Sequence, residues 1–224
     1  MNFNFNQALG ELLTDQLIDD AAQKVQENTT TIRKALTGIS SVVLLRLISK
    51  GIRKENTQGV YNMSKVAAGT GFLSNLISLL GDKTNIVGIL NMTKVIFGDD
   101  MKPVSRQIVA FSGIREDSAI ALLKMMTPAA LALLGQEIKQ QHIKVDALPK
   151  FLDNQYDKVR PFLPSEHDFS SFKWIEQRMN VSSVSVKTMH TSKKKSRFEK
   201  IVQMKWKLSF SIIAFILAFY LIIS

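Results

Sequence analysis

The feature that most constrains this chain is an uncharged apolar run near its C-terminal end, residues 208–223. The run contains no Pro and no Gly, and eleven of its sixteen residues are Leu, Ile or Phe. Together these residues favour transfer into a bilayer by roughly 3–7 kcal/mol. Trp206 extends the run towards the ~20 residues that a helix needs to cross a membrane. We therefore expect a transmembrane helix over residues 206–224 rather than a buried core helix, which would carry a polar stripe.

Seven basic residues stand directly before the apolar run, opposed only by Glu199. They are Lys193, Lys194, Lys195, Arg197, Lys200, Lys205 and Lys207. By the positive-inside rule, this membrane-proximal basic cluster stays in the cytosol. The prediction is a single-pass protein of the inner (cytoplasmic) membrane, with residues 1–207 cytosolic and the C-terminus outside.

The basic cluster also indicates which partners to expect. Its charges are attracted to the anionic headgroups of the lipid bilayer, so a bilayer is the first expected partner. Nucleic-acid binding is not expected, because these basic residues abut a membrane helix instead of alternating with aromatic residues on a folded face. A protein partner, or self-association through the helices, stays open.

The composition indicates a folded domain without cysteine chemistry. Hydrophobic residues make up 46% and charged residues 21% of the 224, which is enough to bury a core. The absence of cysteine excludes a disulfide scaffold, a thiolate metal site and a cysteine nucleophile. Residues 1–16 have neither the basic region nor the apolar region of a secretory signal. The chain is expected either to be tail-anchored or to continue into a further domain after Ser224.

Apolar residues at three- and four-residue spacing predict an all-α fold, a multi-helix globular bundle over residues 1–145. An apolar residue at every fourth position, from Leu9 to Val25, favours a first helix over about residues 8–26. A second helix is expected to begin after N-cap candidates at Asn28 and the following threonines, and Gly51 stands where a C′ glycine would end it.

Further helices are predicted over about residues 56–68, 71–80, 84–97 and 103–111. Glu116 opens another, which Thr127-Pro128 is expected to break or restart because proline lacks the backbone N–H. Beyond residue 145 the composition becomes polar, Ser-rich and finally basic, apart from one short helix before Pro161. Residues 146–205 are therefore predicted to be a linker between the helical domain and the membrane.

Two segments carry a resemblance to a known family: residues 28–51, with an Ala-Leu start and a Leu-rich continuation, and residues 109–139, with Ser112-Gly113-Ile114, Thr127-Pro128 and Leu133-Leu134-Gly135. Residues 88–98 add a Gly-Leu middle with fewer glycines than is usual. Over about residues 12–142 the chain resembles the YidB-like family of bacterial domains of unknown function. The resemblance implies an all-helical bundle and, in some relatives, a membrane span followed by an OmpA-like peptidoglycan-binding domain. It implies no catalytic residues.

Patterns that carry catalysis or metal binding are missing from the sequence. His142, His167 and His190 are more than twenty positions apart, whereas helical metal motifs need ligands three or four apart. The phosphate-binding Walker loop and the GxSxG nucleophile motif do not occur. We therefore predict no catalytic, cofactor-binding or metal-ligating residues and no cofactor.

The expected function is that of a membrane-anchored helical domain of unknown molecular activity, a non-enzymatic interaction or scaffold module of the bacterial envelope. Apolar helical faces are abundant in the sequence, and convergent polar groups are not. Two alternatives stay open. The chain could be the N-terminal part of an OmpA-like peptidoglycan-tethering fusion, or an enzyme whose site is assembled only in the fold.

Overall fold

The computed structural model describes residues 3–80 and 87–164, with Phe169, Phe172 and Trp174 beyond them; residues 87–90 are described by their backbone alone. These residues form helices and short 3-10 turns and no strand, which confirms the all-α prediction. The α-helices of the described ranges are α1 (Phe5–Glu11), α2 (Asp15–Val25), α3 (Thr29–Gly51), α4 (Lys54–Gly69), α5 (Val87–Phe97), α6 (Met101–Ser112), α7 (Glu116–Gln140) and α8 (Leu148–Val159).

The predicted first helix, residues 8–26, consists of two helices. Thr14 has an extended backbone (φ −65°, ψ 156°), and its hydroxyl accepts a hydrogen bond from the backbone N–H of Leu17 at 3.2 Å. This is an N-cap, so a new helix begins there. Leu9 of α1 and Ile18 of α2 are both buried. Leucines recur at four-residue intervals on both sides of Thr14, so the sequence pattern gave no sign that the helix ends there.

The helix α3 begins and ends where the sequence predicted. The side-chain oxygen of Asn28 accepts a hydrogen bond from the backbone N–H of Thr30 at 2.8 Å, which caps the helix. Gly51, however, is the last helical residue and Ile52 is the cap, so Gly51 is not a left-handed C′ glycine. Its role is steric, because a Cβ at Gly51 would lie 2.3 Å from Cδ1 of Leu152 in α8.

Short 3-10 turns replace the predicted helix over residues 71–80. They span Phe72–Ser74 and Leu76–Leu80, and Gly71 precedes them with a φ of +72°. Phe72 and Leu76 are buried, so the two turns cover the core without a continuous α-helix. Gly98, also at positive φ, follows α5 as predicted and opens a further 3-10 turn.

The helix α7 is continuous from Glu116 to Gln140, so the predicted break at Thr127-Pro128 is wrong. A proline in a helix interior costs about 3 kcal/mol, because its N–H is missing and its ring crowds the preceding turn. The burial of side chains before and after Pro128 outweighs that cost: Met126 and Leu131 are completely buried. Met126 and its neighbour Met125 are thus ordinary core residues.

Helical packing continues past residue 145, the boundary at which the sequence placed the start of a linker. The helix α8 buries Leu152 and packs on α3. Its buried Gln155 also holds the N-terminal segment: the backbone N–H of Phe5 donates to Oε1 of Gln155 at 3.1 Å, and Nε2 of Gln155 donates to the carbonyl of Phe3 at 3.2 Å. Residues up to the end of α8 therefore belong to the packed domain.

The two longest helices, α3 and α7, form the centre of the domain. Both are buried on nearly all sides along their middle turns, and α7 packs against α3, α4, α5 and α6. Among the described residues, α7 is the one helix long and apolar enough to cross a membrane. Within the domain 83% of its apolar window is buried, as is usual for the core helix of a folded protein.

The predicted membrane helix and the membrane-proximal basic cluster lie outside the described residues. The packed helices belong to a first compact unit, Met1–Ser183. The second unit, Val184–Ser224, contains the basic cluster and residues 206–224. The transmembrane helix and the cytosolic placement of the cluster stay predictions.

Candidate functional site: a basic groove between two helices

A groove of about 530 Å³ lies between α4, the end of α7 and the segment that follows α7. Its lining residues are Tyr61, Lys65, Ala68, Gly69, Gly135, Ile138, Lys139, His142, Ile143 and Lys144. We call this feature the basic groove. It combines an apolar floor with a rim of positive charge, and none of its lining residues is acidic.

The floor exists because α4 and α7 approach each other closely. In the described part of the chain, these two helices form the most extensive helix–helix contact. At their crossing, a Cβ built on Gly135 would lie 2.0 Å from the carbonyl oxygen of Ser64 and 2.7 Å from Cβ of Ala68. Only glycine fits at such a distance, so Gly135 determines how near the two walls of the basic groove come to each other.

Three lysines from separate segments supply the charge of the rim. Lys65 lies on α4, Lys139 lies in the last turn of α7, and Lys144 follows that helix. All three are exposed, and the ammonium nitrogen of Lys65 lies 5.6 Å from the ring centroid of Tyr61. The charged ends of these side chains are therefore accessible to a ligand from solvent.

A left-handed turn at His142 brings the third wall of the groove into position. His142 has a φ of 50°, and the backbone N–H of Ile143 donates to the carbonyl of Ile138 at 3.0 Å. This is the Schellman pattern that ends many helices, usually with glycine where His142 stands. The hydroxyl of Tyr61 then donates to the carbonyl of Ile143 at 3.2 Å. That bond attaches the segment after α7 to α4 across the groove.

Other charged clusters among the described residues hold helices together. Nε of Arg46 donates to the carbonyl of Ile96 at 2.9 Å, and the same guanidinium forms an ion pair of 2.9 Å with Asp100. Lys50 donates to the carbonyl of Val95. Burial lowers the pKa of Arg46 and of Lys50. These cations bind the C-terminal carbonyls of α5, where positive charge is stabilising.

A second ionic contact joins the end of α2 to the start of α7. Oε1 of Glu27 accepts hydrogen bonds of 2.9 Å from the backbone N–H of Arg115 and from the hydroxyl of Ser118. The backbone N–H of Ser118, and after it the charge of Arg115, lower the pKa of Asp117. The stabilising contribution of Asp117 is therefore present above the usual range of an aspartate and is lost as pH falls through the lowered pKa.

The sequence did not identify the basic groove. Of the three histidines considered there, His142 lies on the groove and is exposed, whereas His167 and His190 lie outside the described residues. Lys65 and Lys139 are distant in the sequence and meet only through the crossing of α4 and α7. The one local signal was Gly135, a glycine among the buried residues of α7, because glycine permits the close approach of another backbone. Within the described ranges, no three His, Asp or Glu side chains cluster as metal ligands would.

The described residues thus form an all-helical domain with a basic groove between α4, the end of α7 and the segment that follows α7. The chain belongs to a bacterial family of proteins of unknown function, DUF937, which it matches over residues 7–137. That match ends inside α7, close to the groove. Comparison with curated proteins and with solved structures gives no significant match.

Proposed function

We propose that this protein is a membrane-anchored, non-enzymatic binding module of the bacterial envelope, and that the basic groove is the site where its partner docks. The observation that carries the binding role is the groove itself: α4, α7 and the segment after α7 give it an apolar floor and a rim with positive charge only. Side chains of a single charge sign favour the binding of an opposite charge over proton transfer between an acid and a base.

The anchoring role rests on the amino-acid sequence. An apolar run of sixteen uncharged residues, preceded by the membrane-proximal basic cluster, is the expected signal for a C-terminal span with the helical domain in the cytosol. The long apolar helix of the domain is already used in its core. Within its family, we propose that the chain is one of the YidB-like members. In some of these relatives the same domain is followed by a membrane span.

Two arginines in the middle of the apolar run are expected to release the protein from the membrane. The change Ile213→Arg with Leu217→Arg costs about 2.5–3.5 kcal/mol for each charge at the bilayer centre, which is comparable to the whole gain from the apolar run. The measurement is the fraction of the full-length chain that stays in the membrane pellet after alkaline carbonate extraction. We expect the unchanged chain in the pellet and the arginine variant in the supernatant.

The matched control changes the same two residues to a smaller side chain and adds no charge. The variant Ile213→Ala with Leu217→Ala is expected to remain in the pellet, because alanine is nearly neutral on the insertion scale. Recovery of the unchanged chain in the supernatant would contradict the anchoring role. So would an arginine variant that pellets as the unchanged chain does.

A further inference from the structure

We propose that the basic groove binds an amphipathic anion: a molecule with a phosphate group at one end and a compact apolar body at the other. This inference rests on the proposed role of the groove as a binding site, but it does not depend on membrane anchoring. It assigns a chemical class of ligand to residues of α4, α7 and the segment after α7.

The positive charge of the basic groove favours a negatively charged ligand. Lys65, Lys139 and Lys144 project from three different walls of one cavity, and no acidic side chain lines it. His142 adds a fourth nitrogen donor at the same rim. An anion placed in the groove is attracted by all of these positive charges at once.

The type of cation favours phosphate over carboxylate. All three charged groups are lysines, which act as compact point charges with freely rotating donors. A planar carboxylate is best recognised by the flat fork of an arginine, and no arginine lines the groove. A phosphate has three or more oxygens pointing in different directions, so ammonium groups on separate walls can each reach one of them.

The floor and the volume indicate a ligand that is more than a bare ion. Ala68, Gly135 and Ile138 leave an apolar surface beneath the charged rim. A cavity of about 530 Å³ lies within the ~300–1,000 Å³ range of small-molecule sites, whereas inorganic phosphate would fill only a small part of it. An apolar body attached to the phosphate would cover the floor and remove it from water.

Histidine signals provide a direct probe of binding to the intact protein. The chain has only three histidines, so the imidazole NMR signals of the full-length protein in phosphatidylcholine nanodiscs are few, and the variant His142→Gln identifies that of His142. We expect phenyl phosphate to shift the His142 signal in a saturable way. Inorganic phosphate should need a concentration at least about tenfold higher, because it lacks the apolar body.

The charge requirement is tested with two lysine variants of equal net charge. Lys65→Gln, Lys139→Gln and Lys144→Gln together should weaken phenyl phosphate binding by at least about tenfold. The matched control, Lys54→Gln, Lys102→Gln and Lys150→Gln, changes three exposed lysines away from the groove and should bind as the unchanged chain does. Equal weakening in both variants, or no shift of the His142 signal with phenyl phosphate, would overturn the inference.

The nanodisc lipid distinguishes two sources of the phosphate. If the ligand is a lipid headgroup, replacing phosphatidylcholine with phosphatidylglycerol shifts the His142 signal without added ligand and blocks phenyl phosphate. If phosphatidylglycerol has no effect while phenyl phosphate still binds, the source is a soluble phosphate ester; both results support the shared chemistry. A protein that proves to need no membrane is titrated in the same way in plain buffer, so the failure of anchoring is separable from the failure of this inference.

Discussion

Replacing Gly135 with alanine is expected to lower the free energy of unfolding by about 2–4 kcal/mol, a large effect for one methyl group. The new Cβ would lie 2.0 Å from a backbone oxygen, that of Ser64, and backbone cannot move aside as the tip of a side chain can. The helices α4 and α7 would therefore have to separate. Because they form the floor of the basic groove, the variant should also lose ligand binding at temperatures where it is still folded.

A second glycine on the same pair of helices provides the control. Gly59 lies inside α4 and a Cβ there would meet nothing within 4 Å. Gly59→Ala should raise the free energy of unfolding by about 0.5–1 kcal/mol, because alanine restricts the unfolded chain and favours helix. The measurement is urea unfolding followed by circular dichroism. Equal stability of the two variants would show that α4 and α7 do not cross at Gly135.

Replacing Arg46 with alanine is expected to lower the free energy of unfolding by about 2–3 kcal/mol. The variant loses the hydrogen bond to the carbonyl of Ile96 and the ion pair with Asp100, and it exposes the C-terminal end of α5. The guanidinium also lies 5.2 Å from the ring of Trp174, so the aromatic contact is lost too. Burial lowers the pKa of Arg46 although Asp100 raises it, so the desolvation of the guanidinium offsets part of the gain from these contacts.

Arg33 is the matched control for Arg46, since it lies on the same helix and also forms an ion pair. The side chain of Arg33 is 49% exposed and its partner Asp15 is 85% exposed, whereas that of Arg46 is 15% exposed. Arg33→Ala should therefore cost only about 0–1 kcal/mol. If urea unfolding shows the same loss in the free energy of unfolding for both variants, the contact between Arg46 and α5 stabilises the fold no more than a surface ion pair does.

The sequence predicted helices well where periodicity was undisturbed and failed where tertiary packing or a single cap decided the outcome. The bounds of α3 followed from Asn28 and Gly51, although the glycine has a steric role and not a conformational one. The break at Thr14 was hidden by leucines whose spacing continued across it. Thr127-Pro128 was expected to break or restart a helix, but the burial of the middle turns of α7 outweighs the local penalty.

The candidate site was less predictable than the fold, because it depends on distances between helices. Lys65 and Lys139 carry no motif, and each by itself is an ordinary exposed lysine. They share a cavity only because Gly135 lets α4 and α7 approach and because the turn at His142 returns the chain towards Tyr61. Neither relation is encoded in the spacing of residues along the chain, so linear patterns could not reveal the basic groove.

The most direct test of a cytosolic binding domain anchored by its C-terminus is thiol labelling in intact cells. The chain has no cysteine, so one can be introduced at Asn2 and, in a separate variant, on a short extension after Ser224. An impermeant thiol reagent should label the extension and leave position 2 unlabelled. With Lys193, Lys194, Lys195 and Arg197 changed to Ser or Gln, orientation should become mixed while insertion persists, because the apolar run is intact. Labelling of the otherwise unchanged chain at position 2 alone would contradict the orientation and the cytosolic placement of the helical domain.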